Sequence, residues 1–388
     1  MTHRLYYRDS YLREFTAHVM RTSSDGTIAY LDRTAFYPTS GGQPFDTGSL
    51  GGALVTEVID EGENIAHRLA APVGLGEAAC VIDWPRRFDH MQQHTGQHLL
   101  SAVFEEVLGL RTVSFHLGQE SSTIDLEIAG LEPAQVHEVE RRANEVVFEN
   151  RQVNVEFADA AEAAGLRKPS VREGELRIIT IDGLDRSACG GTHVRATGEI
   201  GPILIRKLDK VRQCVRVEFL CGGRAVRRAR ADYEALARIA QLFSAPLDET
   251  PALVSAQLEN ARTIDKSLRK AQVELAEFRG KQLYESTPPD ADGVRRHIER
   301  ASRGSVEERN ALARNFTAQP KAIYVSVLEN PPSVIYAVSA DTGIHAGQAI
   351  KEALAAVGGR GGGNAQLAQG SVPNAALLEA VIRKLAMD

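Results

Sequence analysis

Three histidines, His90, His94 and His98, recur at four-residue spacing in HMQQHTGQHLL. On a helix that spacing stacks them on one face, where two imidazoles one turn apart can reach a single metal ion. Spacing alone permits 90 with 94, or 94 with 98. All three cannot easily share one ion, because His90 and His98 are separated by about 12 Å along a helix axis. A second pair, Cys189 and His193, flanks two glycines in SACGGTHV. Glycine frees the backbone to turn tightly enough for both side chains to converge. Thiolate and imidazole are preferred zinc ligands, so a helical pair and a loop pair together predict a four-ligand zinc site with one ion per chain. A zinc protease is excluded, since Met91 and Thr95 stand where that chemistry needs a glutamate. A closed four-ligand set also fits a zinc ion that only holds the fold.

These residues need elements to position them, and the pattern predicts an α+β chain of four segments. Residues 1–82 read as a β-rich, barrel-like domain: FTAHVM, TIAYLD, ALVTEVI and AACVID alternate between turn signals, with a glycine-rich loop, FYPTSGGQPFDTGSL, among them. Pro85 opens a helix whose apolar residues Leu99, Leu100, Val103, Phe104 and Val107 keep a 3.6 period, and Gly109 stops it. Residues 83–223 then read as one long helix on a mostly antiparallel sheet. TVSFHLG and STIDLEI form a hairpin, PAQVHEVERRANEVVFEN a helix, and QVNVEF, ELRIITID, GPILIRKL and QCVRVEFL further strands.

Residues 224–286 are helical. Val254, Ala261, Ile264, Leu268, Ala271, Leu275 and Phe278 trace a coiled-coil seam with Gln257 as its polar member. Such a seam closes either a helical hairpin or a homodimer. Residues 287–388 read as a linker, STPPDADG, and a small α/β domain with its core over 318–388. That core holds two apolar strands, a helix near 345–357, the glycine cluster GGRGGGNAQLAQG and a final helix.

The bulk composition bounds the function. No apolar run approaches the roughly 18 residues of a membrane span, and the start has no secretory pattern. The four cysteines form no CxxC and no disulfide framework, which points to the cytoplasm. The net charge of −6 argues against a uniformly basic nucleic-acid binder, yet Arg206–Arg230 carries nine Lys/Arg against Asp209 and Glu218. A phosphate backbone would be drawn to that stretch, although a solvated helix face gives the same pattern.

HTGQHLL together with CGGTHV resembles the editing domain of alanyl-tRNA synthetases and of free-standing alanyl-tRNA editing proteins. TAFYPTSGGQPFDTG is similar to that family's glycine-rich loop, SFHLG and STIDLE to its hairpin, and IDGLDRSACGGTHVRATGEIGPILI to its metal loop. GGRGGGNAQLAQG resembles the small domain that ends the synthetases. The resemblance implies a zinc-dependent deacylase that hydrolyses the ester between serine or glycine and the 3′ end of tRNA(Ala). It selects His94 and His98, with Cys189 and His193, as the metal ligands, and leaves His90 one turn away as a candidate for RNA contact or for supporting the site. Gly41, Gly42 and Gln43 occupy the substrate-proximal loop, where Ser40 replaces a glycine. Ser114, His116 and Asp185 are expected near the pocket, Asp185 as a partner of a metal ligand. With tRNA as partner, Arg206, Lys207, Lys210, Arg212, Arg216, Arg224, Arg227 and Arg228 become candidate phosphate contacts. No general base emerges from the motifs. The chain is expected to be free-standing, and the rival reading is a zinc-stabilised RNA-binding module without activity.

Overall fold

The computed structural model describes all residues except 161–164, 169–173, 303 and 388. The chain forms two compact units, Met1–Ile239 and Ala240–Asp388, with mixed α and β structure. The first unit begins with β1 (His3–Arg4), β2 (Glu14–Thr22), β3 (Ile28–Leu31), β4 (Arg33–Thr34), β5 (Gly48–Leu50), β6 (Ala53–Asp60), β7 (Ile65–Leu69) and β8 (Gly76–Ile82). β2, β3, β7, β6, β5 and β8 close into a barrel. Alternation explains the closure: Ala78, Cys80 and Ile82 point inward from β8 to meet Val19, Leu31, Val55 and Ile65, while their strand neighbours face out. Short β1 and β4 pair in parallel beside it.

Between β4 and β5 the chain leaves the barrel as the glycine-rich loop. Ser40 and Gln43 bridge across Gly41 and Gly42, whose φ values of 53° and 83° fit a turn with two left-handed residues. The loop is pinned to α1 (Trp84–Leu108) by a fully buried ion pair between Asp46 and Arg87. Arg87 Nε lies 3.0 Å from each Asp46 oxygen, and its Nη1 donates to Ser10 O at 2.9 Å. Asp83 caps α1, Pro85 sits in its first turn, and Gly109 ends it at φ 68°.

β9 (Thr112–Leu117), β10 (Ser122–Leu126), α2 (Pro133–Phe148), β11 (Val153–Asp159), β12 (Glu175–Ile181), β13 (Asp185–Ala188), β14 (Ile203–Val211) and β15 (Cys214–Cys221) follow. They make two sheets, β14-β15-β10-β9 and β11-β12-β13, with antiparallel pairing throughout. Leu99, Leu100, Val103 and Phe104 of α1 pack into one core with α2 and both sheets. Gly96 is required inside that helix, because a Cβ there would lie 2.2 Å from Cys221 Sγ.

The boundary between the units falls within α3 (Gly222–Phe243). α4 (Thr250–Ser286), β16 (Arg295–Ala301), α5 (Val306–Thr317), β17 (Ala322–Glu329), β18 (Pro332–Val338), α6 (Ala346–Ala355), β19 (Arg360–Gly363), β20 (Leu367–Ser371) and α7 (Leu378–Met387) complete the chain. The second unit is a five-stranded sheet, β16-β17-β18-β20-β19, between helices. Ile323, Val325 and Val327 of β17 face α6 and α7, while Tyr324 faces α5 and α4; burial on both faces makes the strand apolar throughout. Sequence patterning finds neither β16 nor α5. The glycine cluster forms the β19–β20 hairpin, and Gly361 and Gly370 admit Leu354 of α6 at distances no Cβ would allow. On α4, Ala276 and Gly280 pack against α5, whereas the seam residues Ile264, Leu268, Leu275 and Phe278 stay exposed.

Candidate metal centre

The helical and loop pairs meet. His94 and His98 of α1, and Cys189 and His193 of the loop after β13, bring their ligand atoms within 4.8 Å of one another, and the cluster could hold a metal ion. Each imidazole is fixed through Nδ1. His94 Nδ1 lies 2.8 Å from Gln43 Oε1, His98 Nδ1 lies 2.8 Å from Asp185 Oδ2, and His193 Nδ1 lies 3.1 Å from Thr95 Oγ1. An Nδ1–H that donates to an oxygen selects the tautomer whose Nε2 lone pair is free for a metal. The Nε2 atoms of His94 and His193 each lie 3.4 Å from Cys189 Sγ.

Electrostatics suit a cation. Burial alone would raise the Cys189 thiol, but the adjoining His94 and His193 imidazoles hold it well below its usual value. Burial takes His193 down to about 3 and so favours its neutral, ligating form. Burial also opposes the His98 imidazolium, yet Asp185 and Cys189 lift it to about 9. Burial would raise Asp185 too, but His98 and Arg167 hold it at about 2. Arg167 Nε donates to the other Asp185 oxygen at 2.6 Å.

Neither loop glycine supplies torsional freedom, and only Gly191 is needed for space. Neither is among the positive-φ glycines. A Cβ on Gly191 would sit 2.1 Å from His94 Cε1, whereas one on Gly190 would make an ordinary 3.7 Å contact with Tyr7. This corrects the expectation that they bend the backbone.

A cleft of about 620 Å³ opens over the cluster, walled by Tyr7, Tyr37, Gly41, Phe115, Phe157 and Arg177. Gln43 is wholly buried beneath it. Its Oε1 also accepts from Thr192 N at 3.1 Å and its Nε2 donates to Thr192 Oγ1 at 2.8 Å. It is therefore a positioning residue for His94 rather than a wall of the cleft. Gly42 packs against Phe115. Ser114 and His116 are corrected by strand parity: Phe115 between them turns to the His94 ring, 5.5 Å away, so its neighbours project from the other face of β9. Ser114 Oγ donates to Asp125 there. His90 is buried near Arg86, Arg87 and Arg224, and burial and those cations lower it to about 3; it is not an RNA-facing group.

Patterning missed Thr95 and Thr192, although both stand inside the quoted motifs. It also missed Arg177, whose signal was a charge inside the apolar strand ELRIITI. Arg177 Nη1 donates to Cys189 O at 2.7 Å and Gly191 O at 2.9 Å, and Nε donates to Tyr7 O at 2.8 Å, tying the metal loop to the N-terminal segment.

Residues 176–217 match the profile described as the Threonyl and Alanyl tRNA synthetase second additional domain, and residues 308–387 match the DHHA1 domain. The alanyl-tRNA editing protein AlaX-L of Pyrococcus horikoshii is 30% identical over 96% of this chain and 95% of its own length. The chain belongs to the alanyl-tRNA editing protein family. The alanyl-tRNA editing protein AlaX-M of Methanosarcina mazei is 36% identical over 54% of this chain and 92% of its own. The alanine–tRNA ligase of Pyrococcus furiosus is 32% identical over 99% of this chain, which spans only 43% of the ligase.

The basic stretch of this family member is heavily paired. Arg224 is 7% exposed, ion-paired with Asp89 and donating to Gly118 O at 2.8 Å, so burial corrects its expected role as a phosphate contact. Arg206 and Arg228 both pair with Asp232, Arg216 with Asp125, and Lys207 with Asp209. Lys210 and Arg212 lie at the β14–β15 turn, where Arg212 has φ 56°. Arg227 is on the first turns of α3. Among the described residues, no helix is long and apolar enough to cross a membrane.

Proposed function

We propose that this chain is a zinc-dependent deacylase that removes serine or glycine from mischarged tRNA(Ala). The observation that carries the reading is the convergence of three Nδ1-anchored imidazoles and one thiol at the floor of a cleft. The donor set fits zinc. Tetrahedral bonds of about 2.0–2.1 Å to nitrogen and 2.3 Å to sulfur separate such ligands by about 3.6 Å, and Nε2 and Sγ here lie 3.4 Å apart. His94, His98, Cys189 and His193 would hold the ion, which supplies positive charge for orienting the substrate or polarising the ester.

The chain's own residues supply the rest of the chemistry. Gln43, Asp185 and Thr95 fix the three imidazole planes, so no reorganisation is needed when charge develops on the ester. An aminoacyl ester is already activated, and catalysis consists mainly of positioning it beside water. Alanine is smaller than serine and cannot be rejected by size; discrimination requires a polar partner that rewards the serine hydroxyl. The Lys/Arg of the β14–β15 hairpin and α3 are the proposed phosphate contacts, with Arg224 excluded by its burial.

Deacylation of seryl-, glycyl- and alanyl-tRNA(Ala), measured side by side, tests the reading. Fast release of serine or glycine with alanine spared is expected, and equal rates on all three would overturn it. The closed four-donor set favours one rival, a tRNA-binding module in which zinc only holds the fold. His98→Ala separates the two: lost deacylation with an unchanged circular dichroism spectrum supports the enzyme, and collapse of the fold supports the rival.

A further inference from the structure

One face of the β11–β12–β13 sheet runs from the core out to the cleft. Register pairs Val153 with Ile181, Val155 with Ile179, and Phe157 with Arg177, so alternation puts these side chains on a shared face. At one end Val153, Ile179 and Ile181 are buried in the core around α1. At the other end the apolar stripe emerges: Val155 is 39% exposed and Phe157 is 41% exposed, on the edge strand of the sheet. Phe157 lines the cleft together with Arg177 and Cys189. Cys189 N donates to Arg177 O at 3.0 Å, which makes Phe157, Arg177 and Cys189 members of three successive chain segments. At a strand spacing of about 4.8 Å, the outer two are separated by roughly 10 Å. Among the described charged residues at the cleft, Arg4 pairs with Asp60 and Arg167 with Asp185, which leaves Lys168 and Arg177 against Glu175, a small excess of cations that favours an anionic occupant.

We propose that Phe157 is the platform on which the terminal base of the acceptor strand stacks while its aminoacyl ester lies at the metal cluster. The proposal rests on the deacylase reading above. Unpaired nucleotides are held by stacking on aromatic rings, with nearby cations meeting their phosphates, and both features adjoin here. A phenylalanine offers no hydrogen-bonding group. Its part is to orient the nucleotide, leaving discrimination of the amino acid to the groups around the cluster.

The test uses the full chain with Phe157→Ala, Phe157→Leu and Phe157→Trp. The readouts are KM and kcat on seryl-tRNA(Ala), zinc content, and quenching of 2-aminopurine placed at the terminal adenine of uncharged tRNA. Loss of one stacking contact is expected to raise KM about 5- to 150-fold in the Ala variant. Zinc content and kcat should be retained. Trp should restore KM, Leu should not, and quenching should be present in the parent and absent in the Ala variant. An unchanged KM for Phe157→Ala overturns the proposal, as does equal restoration by Leu, which would mean apolar cover alone. Zinc loss in the Ala variant would assign the ring a structural role and overturn it as well. A parent that deacylates none of the charged tRNAs refutes the deacylase reading instead, and the quenching arm then decides the platform on its own.

Discussion

Gly191→Ala and Gly190→Ala differ by one position in the same motif and should behave in opposite ways. The added methyl at 191 would lie 2.1 Å from Cε1 and 2.4 Å from Nδ1 of His94. Ordinary carbon contacts begin near 3.5 Å, so the ring must retreat by about 1 to 1.5 Å. It cannot retreat freely, because Gln43 holds its Nδ1 at 2.8 Å and Phe115 packs alongside. Metal–ligand distances tolerate only about 0.2 Å, so His94 would leave the ligand set. Zinc affinity should fall at least about 100-fold, close to 2.7 kcal/mol, and deacylation should fall with it. At 190 the nearest atoms are 3.7 Å away on the Tyr7 ring, and affinity should stay within about threefold. Competition against a chromophoric chelator measures both, and cobalt substitution reports whether the thiolate and imidazoles remain bound. A Gly191→Ala protein that binds zinc as tightly as the parent and deacylates normally would refute the crowding argument.

Asp185→Asn keeps the shape of the His98 partner and removes its charge. Zinc affinity should fall about 10- to 100-fold, read by the same chelator competition; an unchanged affinity would show that the Arg167–Asp185–His98 chain does not support the site. A different histidine sets a pH dependence of stability. His67 is buried in the barrel between Thr34 Oγ1 at 2.8 Å and Ala29 O at 3.2 Å, and burial lowers it from 6.5 to about 4. The unfolded chain binds that proton first, so the contribution is full above pH 6.5 and is lost as pH falls toward 4, on the order of 3 kcal/mol. His67→Gln should flatten this part of the urea-denaturation profile between pH 6.5 and 4 relative to the parent. Parallel profiles for the two proteins would contradict it.

Local periodicity and capping are legible without a structure. Pro85 and Gly109 bound α1, four-residue spacing stacks the histidines, and CGGTH supplies a second donor pair. The apolar alternation of residues 1–82 foretells strands, and the α4 pattern foretells a helix over almost its full length. β16 is charged along its length and depends on pairing with β17, so alternation does not reveal it, whereas α5 carries a Ser305–Glu308 capping box that patterning overlooked.

How distant segments use these residues depends on folding. Gln43 reaches His94, Asp185 reaches His98 and Thr95 reaches His193 across 51, 87 and 98 residues of chain, and no spacing rule relates them. Register placed Phe115 toward the site and turned Ser114 and His116 away, since a shift of one residue exchanges the two faces of a strand. Burial took Arg224 from the basic stretch and paired it with Asp89. Packing gave Gly191 its purpose, a place where the His94 ring leaves no room for a side chain. Sequence names donors through short-range geometry; which atoms they present, and to what, is settled by contacts between residues far apart in the chain.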